Sequence, residues 1–164
     1  MSDPSLNAAF FDTMIVMNRK LRTLYDAHVR TRGLTLSRAR LLIMLADDGG
    51  KTQTEIAATL EIEQPSVVSL LDGVERKGLV ARHQVEGDRR LKRVELTEAG
   101  RAEALILKNF ARDLRETILD GIDNAQLIAA TRVLDHVLGG ITSELERVSG
   151  AGGQPSSRRQ AAAS

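Results

Sequence analysis

Cysteine is absent from all 164 residues. Its absence excludes disulfides, thiolate metal sites and a peroxide-sensing thiol, and agrees with a cytoplasmic location. Aromatic residues are scarce, with three Phe, one Tyr and no Trp. A core must therefore come from Leu, Ile, Val and Ala, which suits a helical protein. No stretch approaches the roughly 20 apolar residues that cross a bilayer. The opening MSDPSLNAAF has no basic region followed by an apolar run, so no signal peptide is expected. There is no phosphate-cradling glycine loop, no H-E-x-x-H and no cysteine nucleophile, so no enzyme site can be assembled and no cofactor is expected. His28, His83 and His136 are scattered. They lack the spacing of metal ligands, so no metal is expected either.

What the chain does have is ordinary globular material, 42% hydrophobic and 27% charged, at a length suited to one domain. Its charge is unevenly placed. From Arg76 to Arg93 seven Lys or Arg face two acidic residues, a net +5 in 18 residues, whereas the whole chain carries only +1. Such runs are usually solvated faces, but the surrounding pattern gives this one a use. Gln64-Pro65 opens a helix, because proline is pre-set for the first helical position. Val67, Leu70, Leu71 and Val74 fall on one side of it, and Ser66, Ser69, Gly73 and Arg76 fall roughly opposite. Gly78 ends it. Leu79–Arg82 and Arg93–Leu96 then read as two strands around the turn signal Glu86-Gly87-Asp88. Upstream, Thr52 and Glu55 form a capping box for a shorter helix with Ile56, Ala57 and Leu60 on its core side, and Glu61-Ile62 makes the turn between the two helices. Two short helices followed by a ribbon tipped with arginine make a winged helix-turn-helix. Its basic tip sits where it can press on a phosphate backbone, so double-stranded DNA is the expected partner.

The run IEQPSVVSLLDGVERKGLV, followed by Asp88, Arg90, Leu96 and Thr97 in the spacing D-x-R-x5-L-T, resembles the MarR family of bacterial transcription regulators, and within it the SlyA-like branch. The resemblance covers residues 6 to 148 in order. It implies that Arg90 enters the minor groove, where a narrow groove strengthens its attraction, and that Asp88 holds it in pose. With Pro65, Ser66, Ser69, Arg76, Arg82, Arg89 and Lys92, these residues form the expected DNA-binding set. His83 at the base of the wing reads as a phosphate or sugar contact. The SlyA-like pattern has arginine at the position of Ser69, so the operator preference is expected to differ from that of relatives.

The fold class expected is mainly α with a small β-wing, as one domain over residues 1–148. Helices over 5–31 and 98–148 would flank a DNA-binding lobe over 34–97. In the first helix Leu6, Phe10, Met14, Met17, Leu21 and Leu24 make an apolar stripe ending at His28, and Gly33 breaks it. Ser37 looks like the cap of the second helix. Thr97 caps the next, with Ala104, Leu105, Leu107, Phe110, Leu114 and Ile118 as its apolar positions, and Gly121 ends it. Asp123 with Gln126 caps the last helix, in which Leu127, Leu134, Ile141 and Val148 recur every seven residues. That stripe fits either an intrachain helical hairpin or a second copy of the chain. The resemblance implies the latter, an intertwined homodimer, whose recognition helices about 34 Å apart would read a palindrome. It further implies a repressor relieved by a small phenolic or aromatic carboxylate. Arg19, Arg22, Tyr25 and His28 are candidates to hold that anion, since arginine can meet a carboxylate with two hydrogen bonds. The alternative for Arg22 is a plain salt bridge with Asp26. The glycine- and serine-rich stretch 149–164 reads as a disordered tail. Two other functions compete: a winged helix used only for protein contact, and a helical ligand-binding protein with no DNA role.

Overall fold

The computed structural model describes residues 3–85 and 88–151, without the side chains of residues 85, 88–91 and 151. The first helix opens on a cap and a proline. The Asp3 carboxylate accepts the Ser5 N–H at 2.9 Å, and Pro4 needs no partner for its nitrogen. Helix α1 runs Pro4–Thr31, and Gly33 reverses the chain at φ +64°. Of the stripe read along it, Leu6, Met17, Leu21 and Leu24 remain exposed, and Val29 is the buried residue. Helix α2, Leu36–Asp48, is capped by Thr35 and not by Ser37: the Thr35 hydroxyl accepts the Arg38 N–H at 3.4 Å. Leu36 packs on the core, which draws the helix start forward by a turn fraction.

Lys51–Thr52 form a two-residue strand, β1. Nothing in the pattern announced it, since two residues are too few to show an alternation. Thr52 also begins α3, Gln53–Leu60, through the expected capping box. Its hydroxyl accepts the Glu55 N–H, and Glu55 accepts the Thr52 N–H at 2.7 Å, which holds the Glu55 carboxyl below its ordinary pKa. The turn into the next helix puts a non-glycine, Glu61, in the left-handed region at φ 53° and ψ 48°. Helix α4 runs Gln64–Glu75, one residue earlier than its proline suggested. Strands β2, Val80–Val85, and β3, Asp88–Leu96, pair antiparallel, and β1 lies on the other side of β3. The register sets Val80 opposite Leu96 and Arg82 opposite Val94, and it shifts between Gln84 and Val85. The expected Glu86-Gly87 turn lies outside the described residues.

Thr97 then does two things. Its hydroxyl donates to the Gly78 carbonyl at 2.7 Å and accepts the Gly100 N–H at 3.0 Å, joining the end of α4 to the start of α5, Glu98–Ile118. Gly100 is required there, because a Cβ would lie 1.9 Å from the Leu79 carbonyl oxygen. Ala104, Leu107 and Ala111 are the buried apolar residues of α5, while Leu105 and Ile118, also among the apolar positions read along it, are exposed. Leu41, Leu42, Ile56, Val67, Leu71, Val74 and Val94 form the centre of the core, so α2, α3, α4 and the sheet share one interior.

The chain divides into two compact units, residues 1–115 and residues 116–164. In the second, Gly121 turns at φ +78° and Asp123 caps α6, Asn124–Ala151, accepting the Gln126 N–H at 2.8 Å. The helix continues three residues past Val148 into the stretch read as tail. Propagation of an existing helix needs no apolar period, so the stripe ends before the backbone does. Residues 152–164 lie outside the described residues. Among the described residues no helix is long and apolar enough to cross a membrane.

Candidate nucleic-acid interface and ligand cavity

Helix α4 buries Val67, Leu70, Leu71 and Val74 and turns Pro65, Ser66, Val68, Ser69, Asp72, Glu75 and Arg76 outward. The outward face is centred on Pro65, Ser69, Asp72 and Arg76, with Val68 beside them. Gly73 is the exception to the expected pattern. It is buried, and a Cβ on it would come 2.2 Å from the Arg38 guanidinium. The reason is a cation supplied by another helix: Arg38 of α2 lies across α4 at this glycine, a position that no spacing within α4 could reveal. Arg76 caps the helix, its Nε donating to the Asp72 carbonyl at 3.2 Å, and stays exposed.

The base of the ribbon is bound to the same helix. The Arg82 guanidinium pairs with the Asp72 carboxylate and lies 3.3 Å from that of Glu75; its side chain is only 18% exposed. Arg82 is thus a strut from β2 to α4, held by two α4 carboxylates about one turn apart. Further along the ribbon His83 pairs with Arg93 and Gln84 with Lys92, all exposed. Asp88, Arg89 and Arg90 begin β3, and their side chains lie outside the described residues.

A second feature lies between α1, α2 and α5, a cavity of about 720 Å³. Arg22 and Tyr25 of α1, Arg40 of α2 and Phe110 and Arg115 of α5 help to line it. Asp47 and Lys108, also in its wall, neutralise each other in an ion pair. Arg22 does not pair with Asp26, whose carboxylate takes Arg30 at 2.7 Å. Tyr25 meets Phe110 edge-on at 5.9 Å. His28 stacks on the other side of Phe110, its Nε2 buried without a hydrogen-bond partner. The result is an aromatic end wall in a cavity that Arg22, Arg40 and Arg115 also line. A planar anion is what such a wall accommodates.

The MarR family model matches residues 32–91, the span from the end of α1 into β3. A solved structure described as transcriptional regulator PA3341 is 30% identical, with 82% of this chain and 98% of that one covered, at a TM-score of 0.71. The chain belongs to the MarR family. Members of that family are DNA-binding transcription regulators. Two further structures share the fold at lower identity. Streptococcus pneumoniae FabT, solved in complex with DNA, is 18% identical over 84% of this chain and 98% of its own, with a TM-score of 0.76. S. aureus MepR, also solved as a DNA complex, is 21% identical over 80% and 97%, with a TM-score of 0.71.

Within this MarR fold the residues singled out in sequence fall into three settings. Pro65, Ser66, Ser69 and Arg76 stand together on the outward side of α4, and Lys92 is exposed on the ribbon. Arg82 is engaged inside the protein. Of the anion candidates, Arg22 and Tyr25 line the cavity, His28 backs its aromatic wall, and Arg19, one turn earlier, is outside the lining. Sequence reading missed Arg38, Val68 and Arg40. Arg38 and Arg40 carried a signal, as basic residues in a short α2, but nothing local said which surfaces α2 would face.

Proposed function

We propose that this MarR regulator acts as a homodimer, reads an inverted repeat with its two α4 helices, and represses by occupying that operator until a small aromatic acid binds. The observation carrying the proposal is the pairing of an outward α4 face bearing Pro65, Ser66 and Ser69 with a basic ribbon fixed to the same helix through Arg82. Pro65, Ser66 and Ser69 would meet base edges, Arg76, Arg89 and Lys92 phosphates, and Arg90, oriented by Asp88, the minor groove. Arg82 would act by holding the ribbon at its angle to α4. The dimer is supported by the apolar residues that α1 and α6 each leave in solvent, among them Ile15 and Met17 in the former and Leu138, Leu145 and Val148 in the latter. The ligand is supported by the cavity at Arg22 and Tyr25, and its anionic character by Arg22 and Arg40. Assignment to the SlyA-like branch is part of the proposal; the solved SlyA structure shares the fold at 16% identity.

Selection of bound duplexes from a random DNA library tests the proposal. Recovery of an inverted repeat with half-sites about one helical turn apart is the expected result. Unenriched output, or an A/T bias with no repeat, would overturn it in favour of a winged helix used for protein contact.

A further inference from the structure

Between Gln64 and Glu75 helix α4 carries no lysine or arginine; its charges there, Asp72 and Glu75, both face Arg82, and the C-cap Arg76 donates back to the Asp72 carbonyl. The turns around Ser66 and Ser69 thus have no long cation with which to grip guanine O6 and N7, the commonest specific contact in the major groove. Their outward surface instead combines two hydroxyls, Ser66 and Ser69, with an apolar side chain, Val68, that is 42% exposed. Val68 is out of place by the logic of folding alone. Its neighbours Val67, Leu70 and Leu71 are buried, and it could be any polar residue without loss to the core. It stands one turn before Asp72, whose carboxylate Arg82 fixes, so this part of α4 is held by the ribbon strut.

The major groove offers one apolar feature, the 5-methyl group of thymine. We infer that Val68 is a specificity residue of this regulator and packs on a thymine methyl in each operator half-site. The inference rests on α4 being the recognition helix. It goes beyond that reading by naming the base and the atom. Burial of a branched side chain against a methyl group gains from both partners, whereas cytosine at the same position presents a bare ring edge and an unmatched amino donor.

The test removes the methyl without touching base pairing. Each thymine of a selected operator is replaced in turn by deoxyuridine, and the full-length protein is titrated by fluorescence anisotropy. One position per half-site is expected to weaken binding about three- to fivefold, the worth of one buried methyl. Val68→Ala, which alters both half-sites of the dimer at once, should bind the thymine operator about ten- to twentyfivefold more weakly and be indifferent to deoxyuridine at that position. Val68→Thr, with the same branched shape, should keep the sensitivity to the methyl. Because Val68 is exposed, both variants should fold, which circular dichroism verifies. Equal sensitivity of wild type and Val68→Ala at every thymine would overturn the inference, as would no sensitivity at any. Failure to select an operator at all would instead strike at the recognition-helix reading beneath it.

Discussion

At the scale of single residues, two glycines of the first compact unit make opposite demands. Gly100 faces a backbone oxygen, and Leu79 cannot withdraw that carbonyl without breaking its bond from the Thr97 N–H. Gly100→Ala is expected to destabilise by about 2–3 kcal/mol, read from the urea midpoint. Gly73 faces only the mobile end of Arg38. Gly73→Ala should therefore change stability by less than about 1 kcal/mol, since the gain in helix propensity offsets the displaced guanidinium. Arg90 belongs to a different class, because the role proposed for it is a contact to DNA. Arg90→Ala is expected to cost about 1–3 kcal/mol of operator binding with unchanged thermal stability; operator binding equal to wild type would remove Arg90 from the wing contact.

At the scale of elements, the tie between α1 and α5 carries a pH dependence. The Arg32 guanidinium donates to both carboxylate oxygens of Glu103, with Nη2 to Oε2 at 2.7 Å, and this bond holds the Glu103 carboxyl below its ordinary value of 4.5. A depressed carboxylate contributes stability that is fully present above its unfolded-state value and is lost as the pH falls through the folded one. Glu103→Gln should cost about 1 kcal/mol near neutral pH and flatten the acid limb of the stability profile below about pH 4.5, measured by urea unfolding across pH. Elements of this kind were only partly legible in the sequence. Caps and glycine stops located α1, α3, α4 and α6 closely, because those signals act through neighbours within four residues. Strand β1 was not legible: Lys51 and Thr52 become a strand only because Val94 and Arg93 come alongside. The outward face of α4 was read correctly at Ser66 and Ser69 and wrongly at Gly73. The error came from Arg38, 35 positions away in sequence, which no helical period contains.

At the scale of the whole molecule, the question is what covers α6. No described side chain of that helix is buried, and Leu138 and Leu145, which lie between the residues recurring every seven, are 61% and 62% exposed. If the stripe is the seam of a homodimer, Leu138→Glu should give a monomer in sedimentation experiments. It should also weaken operator binding roughly a hundredfold or more, because the second half-site is no longer tethered. A dimer that survives this change would return the stripe to the intrachain reading. The strut at Arg82 has a consequence for the DNA as well. Because β2 is tied to α4 at Asp72 and Glu75, the ribbon of the proposed DNA-binding site would be held from swinging along the duplex. The two contact points then act as the jaws of a fixed caliper. One base pair inserted between the sequence under α4 and the flank under the wing, with the half-sites otherwise intact, should abolish the flank's contribution to affinity. Arg82→Ala, which frees the jaw, should recover tolerance to that insertion at the expense of tight binding to the uninterrupted site.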